Sequence, residues 1–156
     1  MDCRIKLFAM DVDGTLTDGK IYMGSSGEVC KAFHIKDGMG IRMLIAHDII
    51  PAIITGRYSK IVENRAKELG IVEVHQGISD KSAVFHGLLK KYHLDAKESA
   101  YIGDDINDLD VIALAGISFA PKDAAPEVKK QVSVVLSAKG GNGAVREAIE
   151  EILTEI

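Results

Sequence analysis

Short apolar runs alternate along the chain with segments whose apolar positions recur at helical spacing, and the alternation predicts an α/β fold with a parallel sheet. The runs at 4–10, 49–55, 71–75, 99–103, 117–120 and 132–136 read as strands, and the stretches 38–47, 58–69, 80–93, 106–115, 123–130 and 143–154 as helices. Gly70, Gly116 and the pair Gly140-Gly141 fall where helices or loops should end. The spacing suits a three-layer, Rossmann-like sheet with helices on both faces, as one domain over 1–156. One piece breaks the pattern. Residues 20–35 read as two short strands, Lys20–Met23 and Val29–Ile35, joined by Gly24-Ser25-Ser26-Gly27, which predicts a β-hairpin. Its position directly after an acidic pair suits a flap over a site, although a purely structural hairpin fits the same residues.

A chain of 156 residues can bury a core without disulfide or metal staples. Hydrophobic residues make up 47% and charged residues 27%, which is ordinary for a soluble globular domain. The net charge of −4 argues against a nucleic-acid binder, since such proteins present a basic face. Cys3 and Cys30 have no partners at zinc spacing and form no disulfide framework. No apolar run approaches the length of a membrane span, and the first residues lack a signal-peptide pattern. A reducing cytoplasm is the expected compartment.

The chemistry gathers at the predicted carboxyl ends of strands, where open α/β sheets bind ligands. After Ile5-Lys6-Leu7-Phe8-Ala9-Met10 come Asp11 and Asp13, two apart, and then Gly14, which allows a sharp turn. Two like charges so placed require a cation or a shared proton. An Asp-rich turn capping a helix would use the same residues. Thr55-Gly56-Arg57 follows Ile53-Ile54 and could offer a hydroxyl and a backbone amide to an oxyanion, or simply turn the chain. Lys81 opens the helix at 80–93, where its charge opposes the helix dipole unless an anion is near; a solvated surface lysine is the plain alternative. Gly103-Asp104-Asp105-Ile106-Asn107-Asp108 supplies oxygen donors suited to Mg²⁺, or a helix N-cap with acidic first-turn residues. Each cluster has an ordinary explanation. Together they suit phosphoryl transfer, in which an aspartate attacks phosphorus, a cation shields the two anions from each other, and a second carboxyl group moves protons.

Asp11-Val12-Asp13-Gly14-Thr15-Leu16-Thr17-Asp18, Thr55-Gly56-Arg57, Lys81 and Gly103-Asp104-Asp105-Ile106-Asn107-Asp108 resemble, in order, the four motifs of the haloacid dehalogenase superfamily. Aspartate at both positions of the first motif is similar to the phosphatase branch. The resemblance implies Asp11 as nucleophile and Asp13 as general acid/base. It implies Mg²⁺ on Asp11, the Asp13 carbonyl and Asp104, with Asp105 and Asp108 supporting the metal from behind. Thr55 and Lys81 would hold the phosphoryl group. The segments 14–54 and 82–103 have no room for a cap domain, so the site is expected to be capless.

Lys31-Ala32-Phe33-His34-Ile35-Lys36-Asp37-Gly38-Met39-Gly40-Ile41-Arg42, Arg57, Arg65 and Gly140-Gly141-Asn142-Gly143-Ala144-Val145-Arg146-Glu147 resemble a narrower group, the 3-deoxy-D-manno-octulosonate 8-phosphate (KDO 8-phosphate) phosphatases of lipopolysaccharide biosynthesis. That resemblance implies substrate contacts from Asp13, His34, Ile35, Lys36, Asp37, Gly38, Arg42, Arg57, Arg65 and Lys81. Arginines suit a sugar acid that carries a carboxylate besides its phosphate, although Arg42 and Arg65 also fit a solvated helix face. It further implies a homotetramer whose hairpins form a barrel, with the region around 139–156 reaching an adjacent active site. His34 stands where the group's pattern has asparagine. Relatives acting on N-acylneuraminate or ketodeoxynononate 9-phosphates give the nine-carbon alternative. A phosphorylatable receiver domain is the rival from another class. Its reactive aspartate, however, lies on the third strand, and the third run here ends Glu73-Val74-His75. A catalytically silent scaffold on the same fold would show a damaged motif, and the four motifs are intact.

Overall fold

The computed structural model describes residues 4–154; Cys3 lies outside the described residues. Six parallel strands form the main sheet: β1 (Leu7–Met10), β4 (Ile50–Ile54), β5 (Glu73–His75), β6 (Ser99–Ile102), β7 (Ile117–Ala120) and β8 (Val134–Val135). Their order across the sheet is β5-β4-β1-β6-β7-β8. The chain builds outward from β1 in one direction, then crosses back through α3 (Lys81–Lys91) to place β6 on the other side of β1. The reversal makes the carboxyl ends of β1 and β6 a topological switch point, where a crevice opens. Asp11 and Asp104 stand there, since Met10 pairs with Ile102.

Alternation along the strands divides the interior. Phe8 and Met10 of β1 point into one layer with α1 (Ile35–Ala46), α2 (Lys60–Leu69) and α6 (Ala144–Thr154). Leu7 and Ala9 point into the other with α3, α4 (Leu109–Leu114) and α5 (Pro126–Gln131). Edge-on aromatic pairs fill each layer, Phe8 on Phe119 at 6.3 Å and Phe85 on Tyr101 at 6.1 Å. The expected three layers and hairpin are present, and the segments between the motifs carry no cap domain.

Several boundaries differ from those read in the sequence. The hairpin is shorter: β2 (Tyr22–Gly24) and β3 (Gly27–Cys30) pair antiparallel, with Gly24 opposite Gly27 across a tight Ser25-Ser26 turn. Ile35 is not in a strand. It begins α1, because His34 turns its ring to accept the Lys36 amide at 3.2 Å and caps the helix three residues before the expected start at 38. The expected helix at 106–115 opens as a 3₁₀ turn, Ile106–Asp108, fixed by reciprocal capping between Asp105 and Asp108. The helix expected from 123 starts at Pro126, whose ring suits the first helical position.

Candidate active site

Asp11 leaves β1 at the sheet's centre and is buried, 5% exposed. The loop after it folds tightly because the amides of Thr15, Leu16 and Thr17 all donate to the Val12 carbonyl, at 3.1, 2.9 and 3.1 Å. Gly14 is required in this loop twice over. Its φ is +89°, and a Cβ there would sit 1.9 Å from an Asp104 carboxylate oxygen. The Asp104 carboxylate thus lies against the backbone of the first motif and accepts from Thr15 Oγ1 at 3.3 Å. One oxygen from each of Asp11, Asp104 and Asp108 falls within 4.8 Å of the others.

Lys81 is the first residue of α3, capped by Asp80, and its buried ammonium reaches into the cluster. It donates to Asp11 Oδ1 at 3.0 Å and to Asp108 Oδ1 at 2.8 Å. Asp108 is fully buried and saturated. It also accepts from Tyr101 Oη at 2.5 Å and from the amides of Asp104 and Asp105 at 3.0 and 3.2 Å. Thr55 follows β4, in the strand position beside β1 opposite Asp104's, and is buried.

Burial and the neighbouring Asp108 charge raise the Asp11 carboxyl above the ordinary aspartate range. Asp104 is raised further, by burial and by its contact with Asp11. Burial alone would lower Lys81, but Asp11 and Asp108 outweigh it and keep the ammonium charged. Three carboxylates face one ammonium, so the cluster has unmatched negative charge. Its all-oxygen donors and the raised carboxyl pKa values both fit a hard divalent cation. Asp105 stands apart: it is exposed and uses its carboxylate to cap the Ile106 amide at 2.8 Å.

Of the candidate substrate residues, His34, Asp37, Gly38 and Arg65 line one largely apolar cavity, and the others are spread over separate surfaces of the chain. His34 and Lys36 line a groove with Asn142 and Arg146. Arg42 and Arg65 line another with Ile35 and Gly38, where exposed Arg42 donates to the Glu68 carbonyl at 3.4 Å and Arg65 stacks on Phe33 at 5.6 Å. Arg57 is exposed beside the hairpin base and lies near Glu28. Asp37 is buried, and its Oδ1 accepts the Arg146 amide at 2.9 Å, capping α6 from a distant part of the chain. The loop 139–143 rests on its own chain's first motif. The Gly141 amide donates to the Thr15 carbonyl at 3.0 Å, and a Cβ on Gly140 would sit 1.8 Å from the Gly14 oxygen.

Lys31, Glu28 and Tyr101 are not among the site residues expected from the sequence. Lys31 looks like an ordinary hairpin lysine and Tyr101 like a core aromatic, and only the fold brings their polar atoms to the site.

The profile of the haloacid dehalogenase-like hydrolases matches residues 46–149. The chain belongs to that family. Among curated haloacid dehalogenase-like relatives, 3-deoxy-D-manno-octulosonate 8-phosphate phosphatase of Yersinia pestis is 49% identical over 150 residues, covering 96% of this chain and 80% of the relative. The same enzyme from Moraxella catarrhalis, solved with a magnesium ion, a phosphate ion and KDO, superposes with a TM-score of 0.94 at 46% identity, covering 97% of this chain and 87% of that one. A cobalt-bound Haemophilus influenzae homologue gives 0.95 at 43% identity, covering 98% and 90%.

Proposed function

We propose that the protein is a Mg²⁺-dependent phosphatase of a 2-keto-3-deoxy sugar acid, acting on KDO 8-phosphate. The observation that carries this reading is the Asp11–Asp104–Lys81 crevice at the switch point of the sheet, in a chain similar over nearly its whole length to an enzyme solved with magnesium, phosphate and KDO.

Asp11, the Asp13 carbonyl and Asp104 would hold Mg²⁺, which would supply positive charge to offset the repulsion between the attacking carboxylate and the phosphate. Asp11 attacks phosphorus, and the bond from phosphorus to the sugar oxygen breaks. That oxygen takes a proton from the Asp13 carboxyl, leaving an aspartyl phosphate. Asp13, now a carboxylate, takes a proton from water as the water attacks the same phosphorus. The Asp11–phosphorus bond breaks, and phosphate and the Asp11 carboxylate are released. Lys81 and Thr55 stabilise charge on the phosphoryl oxygens, and Asp108 and Tyr101 hold Lys81 from behind.

The protomer leaves its crevice open, and Met23 and Val29 on the hairpin are 62% and 65% exposed. Exposed apolar residues on a two-stranded ribbon support a homotetramer built on the hairpins, in which neighbouring subunits complete each site. Exposed, unpaired Cys30 fits a reducing cytoplasm, and among the described residues no helix is long and apolar enough to cross a membrane.

Phosphate release from KDO 8-phosphate, nine-carbon sugar acid 9-phosphates and hexose phosphates, measured in parallel, tests the reading. Preference for the eight-carbon acid phosphate and its loss in Asp11→Asn are expected. Preference for a nine-carbon acid shifts the substrate, and preference for hexose phosphates overturns the sugar-acid assignment.

A further inference from the structure

The Asp13 carboxylate is held by a residue outside the four motifs. Lys31, directly after β3, donates to Asp13 Oδ1 at 2.6 Å and pairs with Glu28 at 2.9 Å, and its side chain is only 2% exposed. Glu28 accepts from Ser59 Oγ at 2.6 Å, and the Ser59 amide donates to Gln76 Oε1 at 3.0 Å. A continuous polar chain therefore runs from Asp13 through the hairpin base to the start of α2. Burial of the Lys31 ammonium works against its charge, but the two carboxylates outweigh that and keep it protonated.

Anchoring a hairpin does not require this arrangement. A buried cation is costly unless well paired, and apolar contact anchors a ribbon as well. What the ion pair adds is aim. Asp13 lies on a loop with a partly exposed carboxylate, 21% accessible, and an unheld aspartate there would sample several rotamers. Proton delivery to a departing oxygen needs hydrogen-bond geometry. Resting on the function proposed above, we infer that Lys31 is a positioning residue for Asp13, so that the base of the hairpin takes part in the proton transfer.

The test uses leaving-group basicity. A sugar or glycerol alkoxide is a strong base and needs a proton as it departs, whereas 4-nitrophenolate departs without one. Values of kcat/KM for glycerol phosphate and 4-nitrophenyl phosphate report the steps through ester cleavage, and neither compound has a carboxylate for Lys31 to bind. Lys31→Met should lower kcat/KM for glycerol phosphate by roughly 10²-fold, and for the nitrophenyl ester by only a few-fold. Lys31→Arg, which keeps the charge on a displaced atom, should show a smaller loss with the same selectivity, and it carries the test if the Met variant does not fold. The double variant Lys31→Met/Asp13→Asn should be no slower on glycerol phosphate than Asp13→Asn alone. Equal losses on both esters, or a rise in KM common to both, overturn the role of Lys31 while Asp13→Asn remains selective. A non-selective Asp13→Asn instead removes the proton-carrier reading itself.

Discussion

Replacing Gly140 with alanine should damage catalysis at a residue that touches no reacting atom. A Cβ at Gly140 would meet the Gly14 oxygen at 1.8 Å, the Gly14 carbonyl carbon at 2.6 Å and the Thr17 oxygen at 3.1 Å. The two loops would have to separate by more than about 1 Å to restore ordinary contact. Neither loop can yield freely. The first motif is blocked on its far side by the Asp104 carboxylate against Gly14. The 139–143 loop is tied by the Gly141 amide to the Thr15 carbonyl and by the Gly140 amide to Asp123, both at 3.0 Å. Overpacking of this kind costs about 1–3 kcal/mol, and a broken hydrogen bond about 1 more. For a domain of this size that lowers Tm by roughly 4–16 °C. The Asp11 loop shares the displacement, and a misplacement of about 1 Å lowers kcat on the order of 10²-fold. Thermal unfolding and steady-state kinetics on purified Gly140→Ala measure the two effects. A variant with wild-type Tm and kcat would refute the claim that this loop sets the position of Asp11.

Tyr101→Phe keeps the ring packing on Phe85 and removes one donor to buried Asp108; stability should fall by about 1.5–3 kcal/mol in urea unfolding, with a lower kcat as Lys81 loses its backing. Glu73, at the start of β5, gives a prediction with a defined pH window. Burial would raise its carboxyl, but bonds from Lys91, Tyr92 and His75 outweigh that and lower it from 4.5 to about 2. A carboxyl lowered on folding contributes stability above its unfolded value and loses it as pH falls toward the folded one. The full shift corresponds to about 3 kcal/mol, and solvent screening of exposed Lys91 reduces the expectation to about 2. Glu73→Gln should therefore be less stable at neutral pH, with the difference shrinking between about pH 4.5 and pH 2; a gap that does not change with pH sinks the assignment.

The sheet and its motif ends were readable because buried parallel strands are written as apolar runs with polar residues directly after them. Asp11, Thr55 and Asp104 each lie at such an end, and Lys81 opens the helix after β5, so their meeting follows from the strand order and the helix that leaves it. Residues acting across the fold carried no such mark. Lys31 sits in a ribbon where a lysine is unremarkable, and Tyr101 reads as core because its ring is core while its hydroxyl is not. Ile35 was misplaced because apolar Ile35 continues the preceding strand-like run, and the capping ring of His34 becomes visible only once the turn exists. In the sequence the glycines at 140 and 141 mark only a loop end. They are small because another backbone passes through the space a side chain would fill.

That passage of backbone ties the order of synthesis to the onset of activity. Asp11 and its loop emerge from the ribosome before the other motifs, and the β1–β4 pairing can form once β4 follows. The amides that seat on the Thr15 carbonyl and on Asp37 belong to residues 141 and 146, made more than a hundred residues later. Contacts of such sequence separation are slow to close and contribute only once the intervening chain is folded. The first motif, translated before the other three, is thus among the last segments to become rigid, and a partial chain ending before residue 141 would still lack the contacts that fix the Asp11 loop.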